Sequence, residues 1–247
     1  DGMGFVLPSG EARNTEHMCW GAFFRDALLA DGIAPERVHV VGSNRLDPFR
    51  GEYRYLSATK EELANGHSLD KSKKWILIVG NYSYAFKSER ELAEIEKRGV
   101  KNARLNASVA QQTYTYALQW AERLTKQDYS SNFEFIYRPH PSEPVSEELL
   151  RVEATCRSFH VIKEGPIRDW FLNSELAIMW NSTSSVEAAY AGLPVLALRP
   201  VEIPESLKFD LLEKVEQIES FEDLDYMVRL AARDELPPLN ESFRSAI

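Results

Sequence analysis

Between Trp75 and Leu198 short apolar runs alternate with longer amphipathic ones, and this alternation limits the possible folds more than any other feature of the chain. Trp75-Ile-Leu-Ile-Val-Gly80 is a compact run closed by Gly and Asn, the pattern of a strand buried on both faces of a parallel sheet. Residues 133–137, 159–162, 176–180 and 194–198 repeat it. Between these runs, 88–97, 108–124, 147–156, 167–173 and 184–191 have helical composition. In the second of these helices Ala117, Leu118, Ala121 and Leu124 recur at three-to-four spacing. Gly192-Leu-Pro194 stops the last, and further helices are expected near 204–215 and over 221–232. Strands and helices in strict turn, with short connections, predict an α/β fold: a Rossmann-like parallel sheet with helices on both faces.

The first seventy residues or so read differently. Gly4-Phe-Val-Leu7 has strand character, 15–30 reads as a helix and 37–41 as a strand. One helix and one or two strands cannot close a core alone. Residues 1–50 are therefore expected to be the end of a preceding Rossmann-like domain. Residues 51–74, polar with a helix near 60–65, read as a linker, 75–200 as the main domain and 201–247 as C-terminal helices. The chain opens on Asp1 rather than Met, which suggests a fragment or a processed form.

A doubly wound sheet binds ligands outside the carboxyl ends of its strands. Four segments follow strands here: Gly80-Asn81-Tyr82-Ser83, Arg138-Pro139-His140-Pro141, Lys163-Glu164-Gly165-Pro166 and Asn181-Ser182-Thr183-Ser184-Ser185. The last is the strongest. Four hydroxyl side chains precede a helix, where unpaired amides and a partial positive charge favour phosphate oxygens. Plain N-capping is the competing explanation, but one cap needs one hydroxyl. Glu187, one turn on, is placed to accept from ribose hydroxyls or simply to stabilise the first helical turn. In the second segment two prolines fix the backbone around His140, an acid or hydrogen-bond donor for a leaving phosphate. Arg138 beside it carries permanent positive charge. A rigid surface loop is the plainer alternative. Asn81 and Ser83 follow a glycine that lets a ligand approach the backbone, or they form an ordinary turn. Lys163, Glu164, Gly165 and Pro166 either line a ribose or base pocket or are a loop only.

Charge and missing motifs narrow the function. A formal net charge of −9 disfavours nonspecific contact with nucleic acid or anionic lipid, though a local basic site fits within it. No P-loop, no GxGxxG fingerprint and no spaced metal-ligand cluster occurs. The two cysteines, Cys19 and Cys156, read as reduced thiols of a cytoplasmic protein. No run of about eighteen apolar residues and no signal peptide is present.

Together these segments resemble the C-terminal, donor-binding half of GT-B-fold glycosyltransferases. Gly42-Ser-Asn-Arg-Leu-Asp47 resembles the string that ends the first domain there, commonly Gly-Asn-Pro-Arg-x-Asp, with Ser43 inserted and no proline between Asn44 and Arg45. Arg138-Pro-His-Pro-Ser-Glu143 resembles the His-Pro motif of bacterial sialyltransferases, polysialyltransferases and β-Kdo transferases, and Ser184-Ser185 their paired serines. Surface carbohydrate biosynthesis proteins show the same likeness, which spans about residues 15–200. It implies a glycosyltransferase with a CMP-sugar donor such as CMP-Kdo or a sialic-acid-like donor, and a glycan or glycolipid acceptor of a capsule or lipopolysaccharide. His140 binds or protonates the leaving phosphate in that scheme, Ser182, Thr183, Ser184 and Ser185 hold it, and Glu187 lies near the ribose. The resemblance implies no metal and no cofactor beyond the donor as substrate. It leaves peripheral membrane association and a homodimer open. A CDP-glycerol-type polyol-phosphate transferase, a UDP-N-acetylglucosamine 2-epimerase and a non-catalytic nucleotide-binding module of a polysaccharide assembly complex are the alternatives.

Overall fold

The computed structural model describes residues 12–208, 211–238 and 243. A small βαβ unit comes first: β1 (His17–Cys19), α1 (Ala22–Ala30) and β2 (Val38–Val40), the two strands pairing in parallel. The main body contains α2 (Lys60–His67), β3 (Lys74–Val79), α3 (Glu89–Lys97), α4 (Ala103–Leu124), β4 (Phe133–Arg138), α5 (Glu147–Thr155) and β5 (Phe159–Val161). It continues with α6 (Ile167–Phe171), β6 (Leu176–Met179), α7 (Ser184–Tyr190), β7 (Val195–Leu198), β8 (Glu216–Ile218) and α8 (Phe221–Ala232). Strands β3 to β8 form one parallel sheet in the order β5-β4-β3-β6-β7-β8.

Side chains alternate across this sheet with the period of two that an extended backbone imposes. Ile76 and Ile78 of β3, Phe133, Phe135 and Tyr137 of β4, and Leu176 and Ile178 of β6 enter one core with α4, α5 and α8. Trp75, Leu77 and Val79 of β3, Ile136 of β4, and Ala177 and Met179 of β6 enter the other with α2, α6 and α7. Both faces are covered, and the expected Rossmann-like α/β fold is the fold observed. Helices α2, α3, α5 and α8 start at hydroxyl caps. Thr59, Ser88 and Ser220 each form a capping box, with Glu62, Glu91 and Asp223 reaching back to the cap amide.

Two expectations need correction. The helix expected over 15–30 is β1 followed by α1, because His17–Cys19 pairs with β2 and Gly21 adopts an extended conformation that breaks any continuous helix. The helix expected near 204–215 is two 3₁₀ turns, Glu205–Leu207 and Leu212–Lys214, and the chain then enters β8. The strand expected at Gly4–Leu7 lies outside the described residues. Between the βαβ unit and β3, α2 sends Leu63 and Ala64 into the second core. Arg54 donates to the Leu172 carbonyl (2.7 Å) and Arg168 to that of Leu56 (3.0 Å), fixing the segment against α6.

The topology determines where a ligand can enter. From β3 the chain runs outward through β4 to β5, then returns to the other side of β3 and runs through β6, β7 and β8. The order reverses between β3 and β6, and the space outside the carboxyl ends of those two strands is where open α/β sheets hold their ligand crevice.

Candidate functional site

Val79 is in register with both Arg138 and Met179, so β3, β4 and β6 end at one level. Gly80, Pro139 and Trp180 leave the sheet together there. β4 and β6 flank β3, and their ends are roughly 10 Å apart, two strand spacings. The His-Pro loop and the hydroxyl run thus lie on the same rim, one on each side of the β3 end.

The β3 and β6 ends are tied by Asn81, whose side-chain amide donates to the Asn181 carbonyl (2.5 Å). Asn181 is left-handed (φ 34°), a conformation Asn tolerates better than most residues, and its own amide donates to the Leu207 carbonyl (2.6 Å). Ser83 stands half-buried in the 3₁₀ turn that follows β3.

One hydroxyl of the run bonds the first amide of α7, Ser182 Oγ accepting from the Ser184 amide (3.3 Å), while Thr183 at the N-cap makes no capping bond. Thr183 is exposed and Ser184 half-buried, whereas Ser185 is fully buried and its Oγ has no partner among the described residues. Glu187 is buried as well. Its Oε1 accepts from Arg45 (2.7 Å), and its Oε2 is buried without a partner among the described residues. Burial pushes the Glu187 carboxyl above its ordinary value, and Arg45 opposes the shift. Asn181 Oδ1, Trp180 Nε1 and Arg199 Nε share this condition and all follow β6 or β7. Ser57 Oγ, Arg138 Nε and Trp170 Nε1 are unsatisfied elsewhere, so five of the eight such atoms among the described residues follow β6 or β7, where buried polar groups would normally be hydrogen-bonded.

His140 is exposed on its loop, and its tautomer follows from its neighbours. The Ser142 amide donates to Nδ1 (3.2 Å), and Ser142 Oγ lies 2.7 Å from the same nitrogen. Nδ1 is therefore an acceptor, and Nε2 carries the proton. Desolvation and the nearby Lys163 hold the imidazole below its ordinary pKa, so at neutral pH it is an uncharged donor.

Glu143 ties these loops together. Its side chain is fully buried, accepting from the Tyr137 hydroxyl (2.6 Å) and the Tyr82 amide (2.8 Å). Its own amide donates to the His140 carbonyl (2.8 Å), and its carbonyl accepts from Lys163 Nζ (2.9 Å). Sequence reasoning assigned Glu143 no role, because a buried carboxylate and a surface one look alike in a string of letters. It also missed Arg199, which follows β7 as the other segments follow their strands. Arg199 is buried, with Nη2 on Glu213 (3.1 Å) and burial lowering its pKa.

Arg138 is employed differently from the phosphate ligand expected. Its guanidinium is buried and donates to the carbonyls of Ile162 (2.9 Å), Glu164 (2.5 Å) and Gly165 (2.6 Å). It also lies over the Trp170 ring, 5.2 Å from its centroid. Burial lowers its pKa to about 10, which keeps it charged at neutral pH. It fastens the 163–166 loop, where Gly165 is left-handed (φ 77°) and Pro166 leads into α6. Glu164 is exposed and accepts from the Lys163 amide (3.1 Å). That whole loop is brought to the rim beside His140.

Arg45 follows β2 and packs 5.6 Å from the Trp20 ring centroid. It thereby joins the βαβ unit to α7. Trp20, Phe23, Phe24, Leu46, Val186 and Leu211 line a small apolar cleft next to this junction. Cys19 and Cys156 are buried and unpaired. Among the described residues no three His, Cys, Asp or Glu side chains group as a metal site, and no helix is long and apolar enough to cross a membrane.

No protein-family model and no curated protein matches the chain. Among solved structures it is similar to the UDP-GlcNAc 2-epimerase of Methanocaldococcus jannaschii, with 15% identity and a TM-score of 0.52 over 93% of this chain and 59% of that one. It is also similar to WaaG, a glycosyltransferase involved in lipopolysaccharide biosynthesis (13% identity, TM-score 0.49, 98% of this chain and 59% of that one). A third similar structure is the C-terminal CMP-Kdo binding domain of WaaA from Acinetobacter baumannii (12% identity, TM-score 0.39, 76% of this chain and 91% of that one). The chain spans about half the length of several of the solved structures it matches. At these identities the likeness establishes architecture alone: a Rossmann-like α/β fold, shared with the UDP-GlcNAc 2-epimerase structure at a TM-score above 0.5.

Proposed function

We propose that the chain is the donor-binding part of a GT-B glycosyltransferase that transfers a sugar from a nucleotide-activated donor to a glycan or glycolipid acceptor of a surface polysaccharide. The observation that carries this reading is the pairing, on one rim, of the proton on His140 Nε2 with the hydroxyls of Ser182 to Ser185, Ser185 Oγ being buried and unpartnered. A phosphate between them receives a donor from each side. Asn81 and Ser83 border it from the β3 end, Glu187 Oε2 accepts from a ribose hydroxyl, and the loop from Lys163 to Pro166 borders the base.

Charge supports a donor with one phosphate. Arg45 is paired with Glu187 and Arg199 with Glu213, and Arg138 has the Glu164 and Asp169 carboxylates nearby. Lys163 forms no salt bridge among the described residues but has the Glu143 carboxylate nearby, and burial and Lys163 hold His140 below its ordinary pKa. A rim with so little uncompensated positive charge suits the one negative charge of a CMP-sugar phosphodiester better than the two of a diphosphate.

In the reaction an acceptor hydroxyl oxygen attacks the anomeric carbon. The bond from that carbon to the donor phosphate oxygen breaks, and the nucleoside monophosphate leaves with the electron pair. His140 and the serines stabilise the charge that develops on it. The acceptor proton passes to a base supplied by none of the residues named here. The two unpaired, buried thiols accord with a cytoplasmic protein.

Thermal-shift and calorimetric titration with CMP, CDP and UDP test this reading, because a ligand bound by the folded state alone raises its stability. CMP is expected to bind and stabilise most. Equal indifference to all three nucleotides overturns it, and a clear preference for UDP or CDP reassigns the donor.

A further inference from the structure

We infer that Glu143 is a positioning residue for His140, holding the imidazole donor toward the crevice by tying together the loops that follow three adjacent strands. The inference deepens the phosphate-site reading and rests on it for its functional consequence alone.

The four bonds of Glu143 reach the ends of three strands. The Glu143 carboxylate accepts from the Tyr82 amide, beyond β3, and from the Tyr137 hydroxyl, within β4. Its backbone carbonyl accepts from Lys163, beyond β5, and its amide closes the His140 turn. The sheet itself contributes little to this arrangement. Among the described residues, the last ladder bond between β3 and β4 is the Gly80 amide on the Arg138 carbonyl (2.9 Å), and His140 lies beyond it. Two prolines restrict the loop without saying where it points. The Glu143 carboxylate says where, because it reaches back under the loop into the space over Gly80. That space is tailored to it. A Cβ at residue 80 would sit 2.8 Å from Glu143 Oε2 and 2.9 Å from the Tyr137 hydroxyl, so only glycine leaves the carboxylate in place. Ser142, whose amide sets the His140 tautomer, is the residue immediately before Glu143 and moves with it.

Two properties separate positioning from general support. Glu143→Gln keeps one acceptor for the Tyr82 amide, and its new amide can donate to the Tyr137 hydroxyl once that group turns round. Glu143→Ala leaves both donors without a partner. His140 itself reports the difference, without any ligand.

The experiment is ¹⁵N NMR of histidine-labelled protein as wild type, E143Q and E143A, followed by calorimetry with CMP and with cytidine. Wild type and E143Q are expected to show His140 protonated on Nε2 and titrating below the ordinary imidazole value. E143A is expected to show mixed tautomers and a pKa returning toward that value. CMP affinity is expected to fall about tenfold in E143A, the loss of roughly one charge-assisted hydrogen bond, and to be largely restored in E143Q. Cytidine binding is expected to be unmoved. If E143A does not fold, Y137F and G80A disturb the same carboxylate and are expected to shift the His140 signal the same way. A folded E143A with the wild-type His140 tautomer and pKa overturns the inference. If wild type binds no CMP while the His140 signals change as expected, the phosphate-site reading fails and the positioning role stands.

Discussion

Arg45 and Glu187 form a 2.7 Å ion pair between the loop that follows β2 and the first turns of α7, joining the small βαβ unit to the hydroxyl-rich helix of the main sheet. The pair is lopsided. The Arg45 side chain is 58% exposed and that of Glu187 only 5%, so the arginine stays largely hydrated while the carboxylate has lost its water. One carboxylate oxygen is satisfied, and the other is buried with no partner among the described residues. Under the proposed function a ribose hydroxyl completes the site; without a ligand, the buried Glu187 carboxylate is a cost to stability.

That cost has a sign. Burial raises the Glu187 pKa above the ordinary carboxylate value of 4.5. The folded state therefore holds the proton more tightly than the unfolded one, and the stabilising contribution present below pH 4.5 is lost as pH rises through the raised folded value. Glu187→Gln is expected to raise the melting temperature at pH 7, to flatten its fall with pH above 4.5, and to weaken ribonucleotide binding. Melting curves across pH 4 to 8, on a scale of about 1 kcal/mol for one such group, check it. A melting temperature lowered at neutral pH contradicts the assignment.

Arg138→Ala is expected to destabilise the fold by about 2–4 kcal/mol, because three carbonyls lose a buried charged donor and a cation–π contact is lost as well. Arg138→Lys is expected to recover little, since an ammonium cannot span three carbonyls as a guanidinium fork does. Urea unfolding measures both. If Arg138 were instead a free phosphate ligand, the alanine variant would keep its stability and lose only nucleotide affinity.

Ser185→Ala removes a hydroxyl that is buried and bonded to nothing described. Its melting temperature is expected to hold or rise, since an unsatisfied polar atom is replaced by none. With Ser184→Ala added, CMP affinity is expected to fall about tenfold to a hundredfold, the equivalent of one or two hydrogen bonds. Calorimetry on both proteins tests this, and an unaltered dissociation constant in the double variant removes the phosphate site.

His140 is exposed and bonded only to its own loop, so His140→Ala is expected to leave stability within about 0.5 kcal/mol. The sugar transfer proposed above is expected to drop by about 10²–10⁴. In the intact protein an anionic donor favours the charged imidazole, so binding is expected to raise the His140 pKa from its lowered value, and affinity to tighten as pH falls toward 6. An NMR titration with and without a phosphodiester donor, whose own charge is constant in that range, reads the shift.

Much of the architecture was legible because buried parallel strands announce themselves. Trp75–Val79 and Phe133–Tyr137 are apolar on both faces, and once a sheet is parallel its strand ends must share one edge. That step brought His140 and Ser182 to Ser185 to one rim before any coordinates. β8 was illegible for the opposite reason. It is an edge strand of three residues, Glu216, Gln217 and Ile218, with only the last buried. β1 was hidden inside a run with helical composition, because its pairing with β2 is a non-local fact. The roles of Arg138, Glu143 and Arg45 depend on partners far along the chain, among them the carbonyls of 162–165, the Tyr82 amide and Glu187. No local pattern encodes such partners. Arg199 was within reach, since the strand-end rule that located the other segments applies equally to β7.

The most direct test is a crystal structure of the protein with CMP bound at saturating concentration. The account predicts the phosphate in the crevice between β3 and β6, with oxygens about 3 Å from His140 Nε2 and from Ser185 Oγ. A phosphate bound elsewhere on the molecule, or one touching the serines with the imidazole turned away, contradicts it.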